Sequence, residues 1–180
     1  MRLFVAVEVG PPAEPAAGPG RRPAPEHLTL RFLGEVPRER LAEISSALAD
    51  VARATPAFDL VLEGIGAFPT SRNPRVVWVA VGQGRTEASE LAARVSAVLD
   101  PMFPSSPRES FVPHLTLFRV RSPSQRRRAE ALLSGTEPPP APRTVHVREI
   151  YLKESTLTPS GAQHRTLASW ALTGRPSVPG

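Results

Sequence analysis

The tetrapeptide His-Leu-Thr-Leu occurs twice in this chain, at His27–Leu30 and at His114–Leu117. Only four histidines are present, and two of them open these identical segments in opposite halves. A proline-bearing lead-in precedes each copy, Pro25-Glu26 in one and Pro113 in the other, and an Arg/Phe pair follows each, as Arg31-Phe32 and as Phe118-Arg119. A perfect repeat built around so rare a residue points to a duplicated unit that contributes one imidazole from each half. The fold must then offer two matching strands. Residues two apart on a strand share a face, so His27 projects with Thr29, and His114 with Thr116. Leu28, Leu30, Leu115 and Leu117 anchor the opposite side.

The remaining pattern supplies strands and helices around that pair. Leu3–Val9 reads as a strand, as does His27–Leu33 closed by Gly34. Between them, Gly10–Glu26 carries six prolines and reads as a loop. Pro37–Ala54 is helical, with Leu41, Ile44, Leu48 and Val51 on one face. Phe58–Ile65 and Arg75–Val81 are strands joined through a turn region at Pro69–Pro74. Thr86 is the expected N-cap of a second helix that stops before Pro101. Phe111–Val120 holds the second motif, and Ser124–Leu133 a short helix ended by Gly135. Glu137–Pro142 breaks the pattern before two last strands, Arg143–Lys153 and Gln163–Leu172, and residues 174–180 form a flexible tail. Strands without a helix between every pair favour antiparallel sheets. The expected class is α+β: one bilobal domain of two pseudo-symmetric lobes, each an antiparallel sheet with helices outside, around a central groove holding both motifs.

Composition narrows the partners. An apolar fraction of 41% and a charged fraction of 22% suit a soluble globular protein. No apolar run approaches the roughly 20 residues needed to span a bilayer, so no membrane contact is expected. Cysteine is absent, which removes disulfides and thiolate metal sites and makes the cytoplasm the default location. The net charge is +5, and of 22 basic residues only Lys153 is lysine. Arginine pairs bidentately with phosphate, so this balance suits a polyanion such as nucleic acid.

Two His and two Thr around one small group fit a tetrahedral phosphate. Hydroxyls donate to its oxygens, while one neutral and one protonated imidazole serve as base and acid. Strict alternation puts Arg31 on the His27 face and Phe118 on the His114 face, and turns Arg119 away unless a bulge or the strand's end turns it back. Phe32, Phe111 and Phe118 are candidates for stacking on a base, Phe118 foremost. His146 reads as an exposed strand histidine and His164 as a structural or surface one. Neither has metal-ligand spacing, and no carboxylate pair neighbours the motifs, so no metal is expected. Arg126–Arg128 read as a solvated helix face. No Gly-rich phosphate loop points to ATP.

On these motifs the chain resembles the 2H phosphoesterase superfamily, and within it the RNA 2′,3′-cyclic phosphodiesterase branch, historically called 2′-5′ RNA ligase. The likeness extends to Arg2–Val7, to the Phe-Leu-Gly ending of His27–Gly34, to Pro74–Trp78, to Phe111–Arg119, and to Glu154–Pro159 with Gly161. The resemblance implies metal-independent hydrolysis of a 2′,3′-cyclic phosphate at an RNA end to a 2′-phosphate, with no cofactor. It implies His114 as general base, His27 as general acid, and Thr29, Thr116 and Arg119 as phosphate holders. Reverse 2′-5′ ligation is a minor activity on this view. The family's helix between first strand and first motif is replaced here by the proline-rich 10–26 stretch, and its tyrosine after the final Gly-x-x by His164, where an aromatic ring is either structural or in touch with the substrate. The expected state is a monomer. A non-catalytic module for RNA ends and a phosphodiesterase for small cyclic nucleotides are the alternatives.

Overall fold

In the computed structural model, which describes residues 1–10, 26–104, 111–158 and 161–174, the two motif strands take the same place in two separate sheets. The strands are β1 (Arg2–Gly10), β2 (Glu26–Glu35), β3 (Phe58–Thr70), β4 (Asn73–Val81), β5 (His114–Arg119), β6 (Arg143–Val147), β7 (Glu149–Thr158) and β8 (Gly161–Ala171). The helices are α1 (Leu41–Ala54), α2 (Arg85–Leu99) and α3 (Pro123–Ser134), with a single 3-10 turn at Arg38–Arg40. One sheet runs β2-β1-β7-β8 and the other β5-β4-β3-β6, and neighbours pair antiparallel throughout. Counting inward from the motif strand, β2 matches β5, β1 matches β4, β7 matches β3 and β8 matches β6. The expected α+β class and pseudo-symmetric antiparallel sheets are borne out.

The lobes are not the two halves of the sequence. The first motif's sheet is completed by the C-terminal strands β7 and β8. The stretch Arg143–Lys153, expected as one strand, divides at Arg148 and feeds both sheets. Its apolar residues show why: Val145 and Val147 occupy odd positions, whereas Ile150 and Leu152 occupy even ones. A single strand cannot bury both sets on one face, so the chain changes sheet where the parity changes.

Apolar side chains of both sheets share one core. Leu3, Val5 and Val7 of β1, Leu28 and Leu30 of β2, and Leu60, Leu62, Val79 and Leu115 of the other sheet are packed with α1 and α2. Ile44, Leu48 and Val51 of α1 are buried at the expected spacing. Each fully buried side chain of this size contributes about 1.5–3 kcal/mol. Gly84, rather than Thr86, is the residue before α2, with φ of 80°. A Cβ there would sit 2.3 Å from the Asp59 carbonyl oxygen, so both conformation and space require glycine. Ser122 caps α3 by accepting from the Gln125 amide at 3.2 Å, and Gly135 closes it with φ of 79°. Pro69 and Thr70 pair with Pro74 and Asn73, so the β3–β4 strands run further than expected and turn only at Ser71-Arg72. β5 begins at His114, three residues later than the expected Phe111.

Gly10 and Glu26, expected as loop, are paired strand ends, while the rest of that proline-rich stretch lies outside the described residues. So does the expected tail beyond Gly174, whose amide donates to the Thr55 carbonyl at 2.9 Å. Among the described residues no helix is long and apolar enough to cross a membrane.

Candidate active site

β2 and β5 are edge strands that lie against one another. Leu28, Leu30 and Leu115 enter the same core. His27 and Thr29, and likewise His114 and Thr116, therefore face away from that core. Each motif strand is then bent by a bulge at the same place. On β2, Thr29 pairs with Ala6 and Arg31 with Val5, so Leu30 is the extra residue. On β5, Thr116 pairs with Trp78 and Phe118 with Val77, so Leu117 is the extra residue.

A bulge shifts the alternation by one residue and exchanges the faces of everything beyond it. Arg119 consequently pairs with Val76 and joins the His114–Thr116 face, through the bulge rather than the strand's end, the two routes the sequence allowed. Two expectations are corrected by the same shift. Phe118 turns to the back, where it packs with Val77 and Leu132 beneath Arg128 of α3. Arg31 turns to the core side, 8% exposed, donating to the Phe103 carbonyl and pairing with Asp100, both at 2.7 Å. Phe32 replaces it on the His27 face and is 62% exposed.

The sheet carrying His27 is strongly curled. In a flat sheet β2 and β8 would stand about 14 Å apart, three strand spacings. Yet the rings of His27 on β2 and His164 on β8 meet edge to face with centroids 5.0 Å apart. Phe4 lies between, 5.1 Å from His27 and 5.0 Å from His164. The curl also encloses Lys153, 2% exposed, whose Nζ is 2.5 Å from Glu8 and 2.9 Å from the Thr166 hydroxyl. Glu8 is the cross-strand neighbour of His27. Burial, with the hydrogen bond it donates to Glu149, pushes the Tyr151 phenol upward from its ordinary value.

The second imidazole has different company. His114 Nδ1 is 2.7 Å from the Val112 carbonyl, a contact that requires the proton on Nδ1 and leaves the Nε2 lone pair available. Burial lowers its pKa; the Val112 hydrogen bond opposes this and the Arg119 charge adds to it. Phe68 and Trp78 flank the ring at 5.0 and 5.7 Å. Trp78 lies over Gly66, where a Cβ would fall 2.2 Å from the indole. Opposite His114 stands Ala80, in the place that Glu8 takes beside His27.

Of the residues singled out from sequence, His27 shares a face of β2 with Thr29, and His114 shares a face of β5 with Thr116 and Arg119. His146 is 62% exposed on β6 and pairs with Asp59. Arg126, Arg127 and Arg128 are exposed on α3. Among the described residues, no group of three or more His, Cys, Asp or Glu side chains is placed to hold a metal. Sequence reasoning left His164 open between a structural role and substrate contact, and gave Glu8 and Trp78 no role in the site. Glu8 was legible as an acidic residue in an otherwise apolar first strand, but His164 reaches the site only through the curl.

The chain matches the 2′-5′ RNA ligase superfamily over residues 12–156. An RNA 2′,3′-cyclic phosphodiesterase of Aeropyrum pernix is 38% identical over 78% of this chain and 78% of its own. Another, from Archaeoglobus fulgidus, is 34% identical over 93% of this chain and 98% of its own. A solved structure from Thermus thermophilus superposes with a TM-score of 0.72 at 25% identity, covering 98% of this chain and 100% of that one. E. coli LigT complexed with 3′-AMP superposes with a TM-score of 0.68 at 26% identity, over 96% of this chain and 98% of that one. With matched sequence over most of its length and the same fold around its paired motif strands, the chain belongs to the 2′-5′ RNA ligase superfamily, the 2H phosphoesterases.

Proposed function

We propose that this protein hydrolyses 2′,3′-cyclic phosphates at RNA ends to 2′-phosphomonoesters, with its two motif histidines as base and acid and without a metal. The reading rests on one observation above others: His114 holds its proton on Nδ1 and keeps Nε2 as a lone pair on the face shared with Thr116 and Arg119. The relatives named RNA 2′,3′-cyclic phosphodiesterase support the substrate, and the 3′-AMP complex of LigT supports a nucleotide in the groove.

His114 Nε2 takes a proton from water as the water oxygen attacks phosphorus. The bond from phosphorus to the 3′-oxygen breaks, and protonated His27 gives its proton to that oxygen. One water is consumed, and the proton gained by His114 returns through solvent to His27. Thr29 and Thr116 donate hydroxyls to the non-bridging oxygens, and Arg119 offsets the charge that grows on them. Base and acid each contribute about 10²–10⁴-fold. Phe32, exposed beside Thr29, stacks on the terminal base, a contact of about 1–3 kcal/mol. Ligation is the same displacement with a 5′-hydroxyl group attacking phosphorus in place of water: a 2′-5′ diester forms as the bond to the 3′-oxygen breaks, and it stays minor because water is abundant.

The test is turnover of a short RNA ending in a 2′,3′-cyclic phosphate, in chelator. Wild type should produce a 2′-phosphate, and His27→Ala and His114→Ala should each lose about 10²–10⁴-fold. An inert wild type would leave only an RNA-end-binding module. Equal efficiency on a cyclic mononucleotide would instead favour a small-nucleotide enzyme.

A further inference from the structure

Four aromatic rings, Phe4, Phe32, His27 and His164, line the concave face of the curled sheet, and only two of them belong to the motif strand. We propose that His164 is a substrate-contacting residue of this site, presenting its Nε2–H as an uncharged donor to a phosphate oxygen on the His27 side. The proposal rests on the cyclic-phosphate reading above.

Three observations carry it. First, the His164 ring touches His27 itself, edge to face at 5.0 Å, so its free edge lies where a group acted on by His27 must sit. Second, the His164 Nδ1 is buried with no hydrogen-bond partner among the described residues. A proton there would be an orphaned buried donor, so the ring carries its proton on Nε2, the nitrogen left to the groove. Third, burial and the Lys153 ammonium both oppose a second proton. His164 is therefore a donor without a charge.

That distinction matters beside an acid. An unpaired cation next to His27 would depress its hold on the proton it must deliver, and the Lys153 ammonium on that side is paired with Glu8. Beside the base the requirement reverses, and there the structure places the full charge of Arg119. The site thus holds phosphate with a cation on the His114 side and with a neutral imidazole on the His27 side.

The experiment compares His164→Phe, which keeps the packed ring but removes the donor, with His164→Gln, which restores an amide donor at similar reach. On RNA with a 2′,3′-cyclic phosphate end, His164→Phe should lower kcat/KM by about 10- to 100-fold, and His164→Gln should recover most of that loss. Titration with adenosine 2′-monophosphate should show about tenfold weaker binding to His164→Phe. In wild type, the 15N-bonded Nε2 proton of His164 should shift and exchange more slowly when that nucleotide is added, which tests the contact even where a variant fails to fold. An active wild type with an unaffected His164→Phe, equal losses in Phe and Gln variants, or an unmoved Nε2 signal overturns the donor role alone. An inert wild type overturns the reading of the site on which it rests.

Discussion

His27 and His114 hold the same place in the same tetrapeptide, yet their neighbours differ in charge. Glu8 stands across from His27 and Ala80 across from His114, while Arg119 stands on the His114 face. The guanidinium favours a neutral His114, in keeping with the base role proposed for it, whereas the Glu8 carboxylate beside His27 is paired with the Lys153 ammonium. The consequence is visible in pH dependence. As the proposed base, His114 acts in its neutral form, and its pKa lies below the ordinary value of 6.5, so the acid limb of kcat/KM should be centred below 6.5. Arg119→Ala removes one of the influences lowering that pKa, so the limb should move to higher pH as the rate falls. A limb centred above 6.5 in wild type, or one moved downward by the substitution, would remove His114 from the base role. The repeat itself, and so the two histidines, was legible from sequence because identity needs no geometry to be seen. The inequality was not, because Glu8 and Ala80 are neighbours only across strands.

At the scale of elements, one extra residue in each motif strand decides which side chains share a face with the motif histidines. Strict alternation gave Arg31 and Phe118 to the site; the bulges at Leu30 and Leu117 give it Phe32 and Arg119 instead. The two exchanged pairs therefore predict opposite behaviour. Phe32→Ala should raise KM for an oligonucleotide about 5- to 100-fold, the loss of one stacked base, with little change in melting temperature. Phe118→Ala should leave KM unchanged and lower stability by about 1–3 kcal/mol, since its ring packs under α3 against Val77 and Leu132. Urea titration with steady-state kinetics on both variants separates the two cases, and the reverse pattern would mean that the strands alternate without bulges in solution. Helices and most strand positions followed from periodicity, as with Ile44, Leu48 and Val51 of α1. Bulges leave no comparable trace in sequence: Leu-Arg and Leu-Phe read alike whether or not a residue is slipped.

The whole molecule is basic, with a net charge of +5 carried almost entirely by arginine. Binding of an RNA strand that reaches beyond its terminal nucleotide releases counterions, whereas a cyclic mononucleotide releases few. If about three further phosphates are held, KM for an oligonucleotide should rise about 20-fold between 50 and 200 mM salt. The mononucleotide KM should change far less under the same conditions. Equal salt sensitivity of the two substrates would confine recognition to the cyclic phosphate and its own nucleotide.

Residue order was enough to set the two motif strands, the α+β class, the pairing of each histidine with a threonine, and the chemistry that two imidazoles and two hydroxyls can perform. Those follow from residue identity and from periods of two and 3.6 along one segment, which are local quantities. The rest waited on how the segments pack. Packing took the lobes from both ends of the chain, with a change of sheet at Arg148. It turned Arg119 and Phe32 onto the histidine faces and Arg31 and Phe118 away from them, and it brought His164 from the far strand to within 5.0 Å of His27. Each of these depends on strand register or on sheet curvature, which are set by contacts between segments distant in sequence. No single segment carries that information.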